Sequence, residues 1–289
     1  MDRQDIRTKV KESMELATLS AVAVQAVQML RDIDVNIQRV AETVSYDQSM
    51  TSKILRLVNS SFYGFQGKIG SLSQAIVLLG FSTVRNIILS VSVLQAFAGG
   101  KGSNVFDVGR FWEHSVGTAF IARNVAERAK QKQPEEAFIG GLLHDIGKVF
   151  VVQFLRKDLD EIMALVNEKD MSIRAAEEAV LGVDHAWIGH MIVKNWHFPP
   201  NLCQGIGYHH SPNLLTERRE DLVFGSVIHM ADIICRGLDI GSGGDELVPD
   251  INMAAWNALS LSLDDVKTIL RKVDHGLSEI DDFLSIIRS

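Results

Sequence analysis

Apolar residues recur along most of the chain at the spacing of helices rather than strands. Ile37, Val40, Ala41 and Val44 follow the i, i+3, i+4, i+7 pattern that places side chains on one helix face. Strand-like alternation is rare, so the pattern predicts an all-α fold, a multi-helix bundle. The predicted helices cover about residues 22–30, 37–44, 49–58, the start of one at 76–79, a buried one at 87–98, and then 111–129, 135–144, 159–169, 173–181, 186–196, 222–238 and 263–287.

Several predicted helices begin at recognisable capping residues. Asp47 precedes one apolar-periodic run, and residues 71–74 read Ser-Leu-Ser-Gln, the order of a capping box. Two short helices meeting at residues 45–47 resemble a helix-turn-helix, but Lys53 and Arg56 make a weak basic patch, so DNA binding is not favoured. Residues 59–64 place two aromatics among small polar residues, either as a recognition loop or as a helix stop capped by Gly64.

Composition excludes several classes of protein. Of the 289 residues, 46% are hydrophobic and 22% are charged, and the net charge is −7, which disfavours nucleic acid and anionic membranes as partners. The most apolar run, residues 87–98, is shorter than the ~20 residues of a membrane span. Cys203 and Cys235 form no CxxC pair, and the N-terminus is charged. We therefore expect a cytoplasmic protein without a signal peptide or membrane segment.

Charge and histidines divide the chain into two parts. Residues 1–100 contain ten basic and eight acidic side chains, whereas the remainder contains 19 and 28. All nine histidines lie at or beyond His114, and residues 99–104 are rich in glycine, as linkers are. We expect an N-terminal helical subdomain over residues 1–103 and a histidine-bearing helical domain over residues 104–289.

The second part carries residues of the types that bind metal ions. His144 and Asp145 are adjacent, so their side chains point about 100° apart on a helix and reach one centre only near a helix end. A carboxylate beside an imidazole suits a divalent cation, because the carboxylate can bridge two ions. Further candidates on other helical segments could converge with this pair in a bundle interior. They are His114, His185, His209, His210 and Asp232.

Other side chains leave alternatives open. A core histidine bonded to a carboxylate would give the same His-Asp pattern without a metal. His229 lies three residues before Asp232, so it is either a partner of the site or a core histidine bonded to backbone. Glu177 and Glu178 are expected on a solvated helix face, though either could approach the site.

The order of these residues resembles the HD superfamily of metal-dependent phosphohydrolases, and residues from about 16 to 210 resemble an HDOD domain. The resemblance covers about two thirds of the chain and rests on a combination of motifs. They are ILRLVNS at 54–60, FYG at 62–64, AIVLLG at 75–80, FIGGLLHDIGK at 138–148 and GVDH at 182–185, then Trp196 and Pro199.

The resemblance implies a bacterial cytoplasmic signalling protein with an HD-like helical bundle and an additional N-terminal helical subdomain. In the related HD-GYP family, which hydrolyses cyclic di-GMP, the matching residues bind two or three ions, usually iron or manganese. By this resemblance the metal ligands are His114, His144, Asp145, His185, His209, His210 and Asp232. The residue matching Lys148 holds the phosphate, so Asp145 and Lys148 are the implied catalytic residues.

Two departures from the HD-GYP pattern reduce the number of metal ions that we expect. The Gly-Tyr-Pro segment is replaced by residues 211–214, Ser-Pro-Asn-Leu, and Arg110 stands where a glutamate serves a third metal. We expect one or two divalent ions, iron or manganese with zinc as the other candidate.

The expected function is signal transduction as an interaction or sensory module with signalling proteins as partners. The alternative is a metal-dependent phosphohydrolase acting on a nucleotide or cyclic dinucleotide.

Overall fold

The computed structural model describes residues 5–6, 8–9, 12, 20–30, 32, 34–63, 68–98 and 105–288. Within these ranges the secondary structure is helical and contains no β-strand, which confirms the all-α prediction. The predicted linker at 99–104 and the predicted cap Gly64 lie outside the described residues.

The helices are numbered here along the described chain. They are α1 (Ala21–Met29), α2 (Ile37–Ser45), α3 (Gln48–Val58), α4 (Leu72–Ala98), α5 (Val108–Arg128), α6 (Pro134–Leu143), α7 (Ile146–Phe154), α8 (Arg156–Lys169), α9 (Ile173–Leu181), α10 (His185–Asn195), α11 (Pro200–Gly207), α12 (Arg219–Gly237), α13 (Met253–Leu259) and α14 (Leu263–Arg288). Two short 3-10 helices cover Ser61–Tyr63 and Pro212–Leu214.

By its internal contacts the chain forms two compact units. The larger comprises Met1–Ala17 and Gly100–Arg271, and the smaller comprises Thr18–Gly99 and Lys272–Ser289. Helix α14 therefore contributes its first part to the larger unit and its second part to the smaller one. The division into 1–103 and 104–289 stays a prediction.

In the smaller unit, capping follows the sequence signals. Asp47 accepts a hydrogen bond from the backbone N–H of Met50 at the start of α3 (2.9 Å). At the start of α4, Ser71 accepts one from the N–H of Gln74 (3.2 Å), while the Gln74 side chain reaches back to the N–H of Gly70. The reciprocal bond thus falls one residue earlier than in a regular capping box.

The segment after α3 packs inward. Phe62 is 4% exposed, and its ring centroid lies 5.1 Å from that of Phe283 on α14. The Asn59 side chain bonds both the N–H and the C=O of Ile69. These contacts favour a structural stop after α3 over an exposed recognition loop.

The structure joins the predicted helix start at 76–79 and the predicted buried helix at 87–98 into one helix, α4. It continues through a kink at Gly80, whose φ of 84° favours glycine. Two stretches, Leu72–Ala96 and Pro134–Phe154, are long and apolar enough by composition to cross a membrane. Their apolar windows are 56% and 89% buried inside the protein, as core helices of a globular fold also are. They are therefore weak indications of a membrane span.

The larger unit is built around α5, which packs against α6 and α12. Most of its residues are buried, and α6 approaches it closely because Gly141 has no side chain. A Cβ at Gly141 would lie 2.7 Å from the backbone oxygen of Thr118. Three helices of this unit, α7, α11 and α13, were not predicted as separate elements from the sequence.

Candidate metal centre

The larger unit brings together all seven side chains that the sequence analysis selected as metal ligands. Six are buried and His210 is partly buried. They come from five places: His114 in α5, His144 and Asp145 at the break between α6 and α7, His185 at the start of α10, His209 and His210 after α11, and Asp232 in α12.

The His144-Asp145 pair lies where one helix ends and the next begins. Helix α6 ends at Leu143 and α7 begins at Ile146, so adjacent residues face one centre, as expected near a helix end. Gly147 then allows α7 to approach α10. A Cβ there would lie 2.1 Å from the carbonyl oxygen of His185, so glycine at this position lets His185 come close to Asp145.

Asp145 is the central residue of the cluster. Its Oδ1 lies 3.0 Å from Nε2 of His185 and 3.7 Å from Nε2 of His209. Its Oδ2 lies 3.3 Å from Nε2 of His144 and 3.8 Å from Nε2 of His114. The two carboxylate oxygens therefore face two different sets of imidazoles.

Two sets of three side chains flank Asp145. In one, Oδ1 of Asp232 lies 3.1 Å from Nε2 of His114 and 3.7 Å from Nε2 of His144. In the other, Nε2 of His210 lies 2.8 Å from Nε2 of His185, and His209 is the third member. The ligand atoms of each set lie within 4.8 Å of one another, so each set could hold a metal ion. We call them the Asp232 group and the His210 group.

Backbone carbonyls orient two of the imidazoles. Nδ1 of His144 donates to the carbonyl oxygen of Gly141 (2.6 Å), and Nδ1 of His209 donates to that of Ile206 (2.7 Å). Because a carbonyl only accepts, the proton resides on Nδ1 and Nε2 faces the cluster. Histidines that bind metals are usually held in this way.

Several buried atoms in the cluster make no hydrogen bond. Among the described residues these include Nε2 of His114, His144 and His209, and Oδ1 of Asp145. Buried polar atoms are nearly always paired, and one or two cations held among these side chains would satisfy such atoms. The residues present therefore fit a metal ion.

Burial and the buried carboxylates shift the pKa values of the cluster in different directions. Burial opposes a charge on His144, but Asp145 and Asp232 outweigh it and raise the pKa of His144 to about 9. Burial, together with its histidine neighbours, lowers the pKa of His209 to about 3. Despite its own burial, the pKa of Asp145 lies well below its ordinary value, because His144, Lys148 and His185 stabilise its charge.

Lys148, the implied phosphate-holding residue, is 1% exposed and bonds Asp145. Its Nζ donates to Oδ2 of Asp145 at 2.5 Å. The ammonium thus lies beside the carboxylate oxygen that faces His114 and His144.

Glu177 belongs to the site, contrary to the expectation of a solvated face. It is 1% exposed, and its Oε2 accepts from both the backbone N–H (2.7 Å) and Nδ1 (2.5 Å) of His185. Helical spacing from Ile173, Ala176 and Leu181, all buried, places Glu177 on the inner side of α9 and could have revealed it. Glu178 lies on the outer side, 3.4 Å from Arg174.

Arg236 was also missed. Its Nε donates to Oδ1 of Asp232 (3.0 Å), and a terminal nitrogen donates to Oδ1 of Asp245 (3.0 Å). Its side chain is 7% exposed. The signal available in the sequence was its position four residues after Asp232 on an apolar helix, the spacing of helical ion pairs.

His229 and Arg110 both have hydrogen-bond partners outside the cluster of seven ligands. His229 donates through Nδ1 to the carbonyl oxygen of His209 (2.8 Å) and accepts from the N–H of Asn252 (3.0 Å). It is thus a core histidine bonded to backbone, and one of its backbone partners belongs to His209, a candidate ligand. Arg110 donates to Asp239 and to the carbonyl oxygen of Gly241, both at 3.0 Å.

The sequence matches the model of the HDOD domain over residues 16–212, about two thirds of the chain. The chain belongs to the HDOD family. The matched range includes six of the seven clustered side chains and ends before Asp232.

Solved structures share this fold. An HDOD domain protein of unknown function from Geobacter sulfurreducens is 28% identical, with a TM-score of 0.79 over 96% of this chain and 99% of that one. A protein from Shewanella amazonensis provisionally named a phosphohydrolase is 23% identical, with a TM-score of 0.76 over 96% and 98%. A protein from Marinobacter aquaeolei provisionally named a signal transduction protein is 18% identical, with a TM-score of 0.78 over 99% and 66%.

Curated relatives are longer than this chain. It covers 43% of an uncharacterized protein from Treponema pallidum and 31% of the uncharacterized protein YuxH from Bacillus subtilis. The identities over the aligned residues are 22% and 28%.

Proposed function

We propose that this HDOD protein is a signalling module whose larger unit binds divalent metal ions. The observation that carries the proposal is the convergence of seven buried or partly buried His and Asp side chains with unpaired atoms facing one another. A hydrophobic core has no need of such a cluster, since each unpaired buried polar atom costs free energy.

The ligands proposed for one or two ions are those of the two groups, with Asp145 between them. Imidazole nitrogen suits iron and zinc, and carboxylate oxygen suits manganese, so the mixed set accommodates any of the three. A bound ion would supply Lewis acidity and a fixed positive charge inside the unit. The protein's own part is to orient the imidazoles through Gly141, Ile206 and Glu177.

The proposed role is regulation through protein partners, in the cytoplasm of a bacterium. Support comes from the HDOD family itself and from the provisional name of the Marinobacter protein of the same fold. In this role the metal would act as a structural or sensory element, and the partners would be signalling proteins.

Metal analysis of the purified protein tests the proposal. We expect about one to two equivalents of iron, manganese or zinc, lost in a His144→Ala, Asp145→Ala double variant. A His190→Ala, Asp239→Ala variant is the matched control, because His190 bonds the backbone of Cys203 and Asp239 is exposed. No metal in the wild-type protein, even after reconstitution under reducing conditions, would contradict the proposal.

Hydrolysis of a phosphoester is the second candidate function. A cavity of about 440 Å³ reaches the cluster, and its walls include His185, His210, Arg174 and Arg236. A phosphate bound there would meet basic groups, and Lys148 could neutralise charge on a phosphate oxygen after leaving Asp145. The fold shared with the Shewanella protein is compatible with this activity.

A substrate screen separates the two candidates. The metal-loaded protein would be assayed with cyclic dinucleotides, nucleotides and a generic phosphodiester. Turnover that disappears in the His144→Ala, Asp145→Ala variant supports hydrolysis. Absence of turnover in a metal-replete protein leaves the signalling module as the function and rejects hydrolysis of these substrates.

A further inference from the structure

The segment between α12 and α13 forms part of the wall of the cavity that reaches the cluster. Residues 238–252 connect the two helices without a helix or strand of their own. Residues 247–250 line the cavity of about 440 Å³, which His185 and His210 also line. An ion or ligand that reaches the cluster through this cavity therefore passes beside this segment.

The segment is anchored to the helices near both of its ends. At one end, Oδ1 of Asp245 accepts a hydrogen bond from Arg236 of α12 (3.0 Å). The other oxygen, Oδ2, accepts from the backbone N–H of Ile173 at the start of α9 (2.8 Å). At the far end, the N–H of Asn252 donates to Nε2 of His229 (3.0 Å).

Between these anchors, residues 246–251 have few attachments. The carbonyl oxygen of Leu247 accepts from Arg236 (3.1 Å), and Glu246 adds an ion pair of 3.9 Å at the surface, where such pairs contribute little. Within the part of the chain that the structure describes, residues 248–251 make no hydrogen bond. The three large apolar side chains of this stretch are 45–52% exposed. Such weakly attached segments open locally at low free energy.

Glycines precede the anchor at Asp245. Gly244 has a φ of 104°, in the region that favours glycine. A Cβ at Gly243 would overlap the guanidinium of Arg236, so glycine there lets the segment lie on this side chain. Hinges of moving segments are a few loop residues, often small, that absorb changes in φ and ψ. Two glycines beside the anchor suit such a hinge.

Release of Asp245 leaves no buried charge without a partner. The side chains of Arg236 and Asp245 are 7% and 5% exposed, and breaking a buried ion pair is costly when one charge stays behind alone. Here Arg236 keeps its bond to Asp232 (3.0 Å), while the carboxylate of Asp245 moves into water. This ion pair can therefore open at a lower cost than an isolated buried pair.

We propose that residues 246–251 are a lid on the cavity and that Asp245 is its latch. In the closed state Asp245 holds the lid to Arg236 and Ile173. In the open state Asp245 is released and the cavity is wider toward the cluster. The lid is a property of the fold and needs no metal. Its regulatory role, control of the entry of ions to the cluster, rests on the proposed metal binding.

The distance between two spin labels on the metal-free full chain tests the lid. The labels are attached at Val248→Cys on the lid and at Lys157→Cys, an exposed position of α8. Cys203 and Cys235 are buried, which keeps them from the label. We expect one dominant distance when the rest of the chain is unchanged.

The Asp245→Asn substitution, which keeps the size of the side chain and removes its charge, should add a second distance. A hydrogen bond between charged groups contributes enough that weakening it should raise the population of the open lid roughly tenfold. Asp250→Asn makes the same change at an exposed lid residue that forms no hydrogen bond, and it should keep the single distance. Circular dichroism verifies the fold of each variant.

Hydrogen exchange of the unsubstituted protein tests the lid even if Asp245→Asn is unfolded. The amides of Leu247 and Ile173 both donate to Asp245, so release of the latch exposes both. We expect them to exchange at least about tenfold faster than the amide of Ala231 in α12, at a rate that low urea concentrations leave unchanged. Nuclear magnetic resonance measures these rates.

The outcomes separate the lid from the proposed metal binding. A single unchanged distance in folded Asp245→Asn, or amides of Leu247 and Ile173 that exchange as slowly as that of Ala231, would overturn the lid. If the lid controls entry, Co²⁺ uptake followed by absorbance should be faster in Asp245→Asn and reach the same final amount. An open lid with an unchanged uptake rate would overturn its regulatory role. Failure of the wild-type chain to take up any Co²⁺ would overturn the proposed metal binding and that role, while the label distances still decide the lid.

Discussion

At the scale of single residues, the site is a balance of buried charges. Asp145 and Asp232 lie among imidazoles, and Lys148 and Arg236 each bond one of these carboxylates. A buried charge is tolerated only when it is paired and hydrogen-bonded. Each of these four charged groups therefore supports the folded state as well as the chemistry of the site.

Arg236→Met should destabilise the protein strongly. Removing one partner of a buried ion pair costs about 3–5 kcal/mol, because the remaining charge is left uncompensated, and here Asp232 and Asp245 would both lose Arg236. Urea unfolding of the metal-free protein measures the free energy of unfolding. Arg219→Met, at an exposed position of the same helix, is the control, and equal stability of the two variants would contradict the assignment.

The residue types in the sequence were sufficient to select the seven candidates, since His and Asp on apolar helices are unusual. Their supporting partners were harder to recognise. Glu177 looks like any surface glutamate until the inner face of α9 is identified from Ile173, Ala176 and Leu181. The bond between Lys148 and Asp145 depends on side-chain placement within α7, which residue spacing alone does not determine.

At the scale of helices, close approaches shape the site. Glycines at 141 and 147 allow α6 to pack on α5 and α7 to pack on α10. These contacts bring residues distant in the sequence, such as His114 and His185, to the same carboxylate. The position of a helix break, between Leu143 and Ile146, is equally important because it directs two adjacent side chains inward.

Gly147→Ala should disrupt the packing of α7 on α10. The added Cβ would meet the backbone of His185 at 2.1 Å, and backbone yields less easily than a flexible side chain. Overpacking of this kind costs about 1–3 kcal/mol, and we expect loss of metal binding as well. Thermal and urea unfolding, with metal analysis, measure both effects.

Gly237→Ala is the matched control for this prediction. A Cβ at Gly237 meets nothing within 4 Å, and alanine is the better helix former by about 1 kcal/mol. Its stability should be equal to or higher than that of the wild type. Similar effects of the two substitutions would contradict the close approach at Gly147.

Helix positions followed from periodicity where a capping residue marked them, as at Asp47. Helices α7, α11 and α13 were not predicted because each is short, and α7 is more uniformly apolar than a surface helix. Periodicity cannot separate such a run from its neighbours.

At the scale of the whole molecule, the proposed metal binding would be linked to folding. The seven proposed ligands come from segments between His114 and Asp232, so the site is complete only when the larger unit is folded. The C-terminal residues from Lys272 group with Thr18–Gly99. No local signal in the sequence indicates this grouping, because the contacts that create it join residues far apart in the chain.

Removal of metal should lower thermal stability. An ion that binds only the folded state stabilises it by about 2.7 kcal/mol when its free concentration is 100 times the dissociation constant. Chelation followed by readdition of Mn²⁺ or Fe²⁺ should lower and then restore the Tm. The His144→Ala, Asp145→Ala variant should show no response, and an equal response in that variant would assign the effect to a different site.

The most direct test of the central claim is anomalous diffraction from crystals of the metal-loaded protein, with data collected on both sides of the absorption edge of the metal. We predict an anomalous peak beside Asp145, within the His210 group, the Asp232 group or both. A well-ordered His and Asp cluster with no anomalous peak, in crystals soaked with excess metal, would contradict the assignment of this cluster as a metal centre.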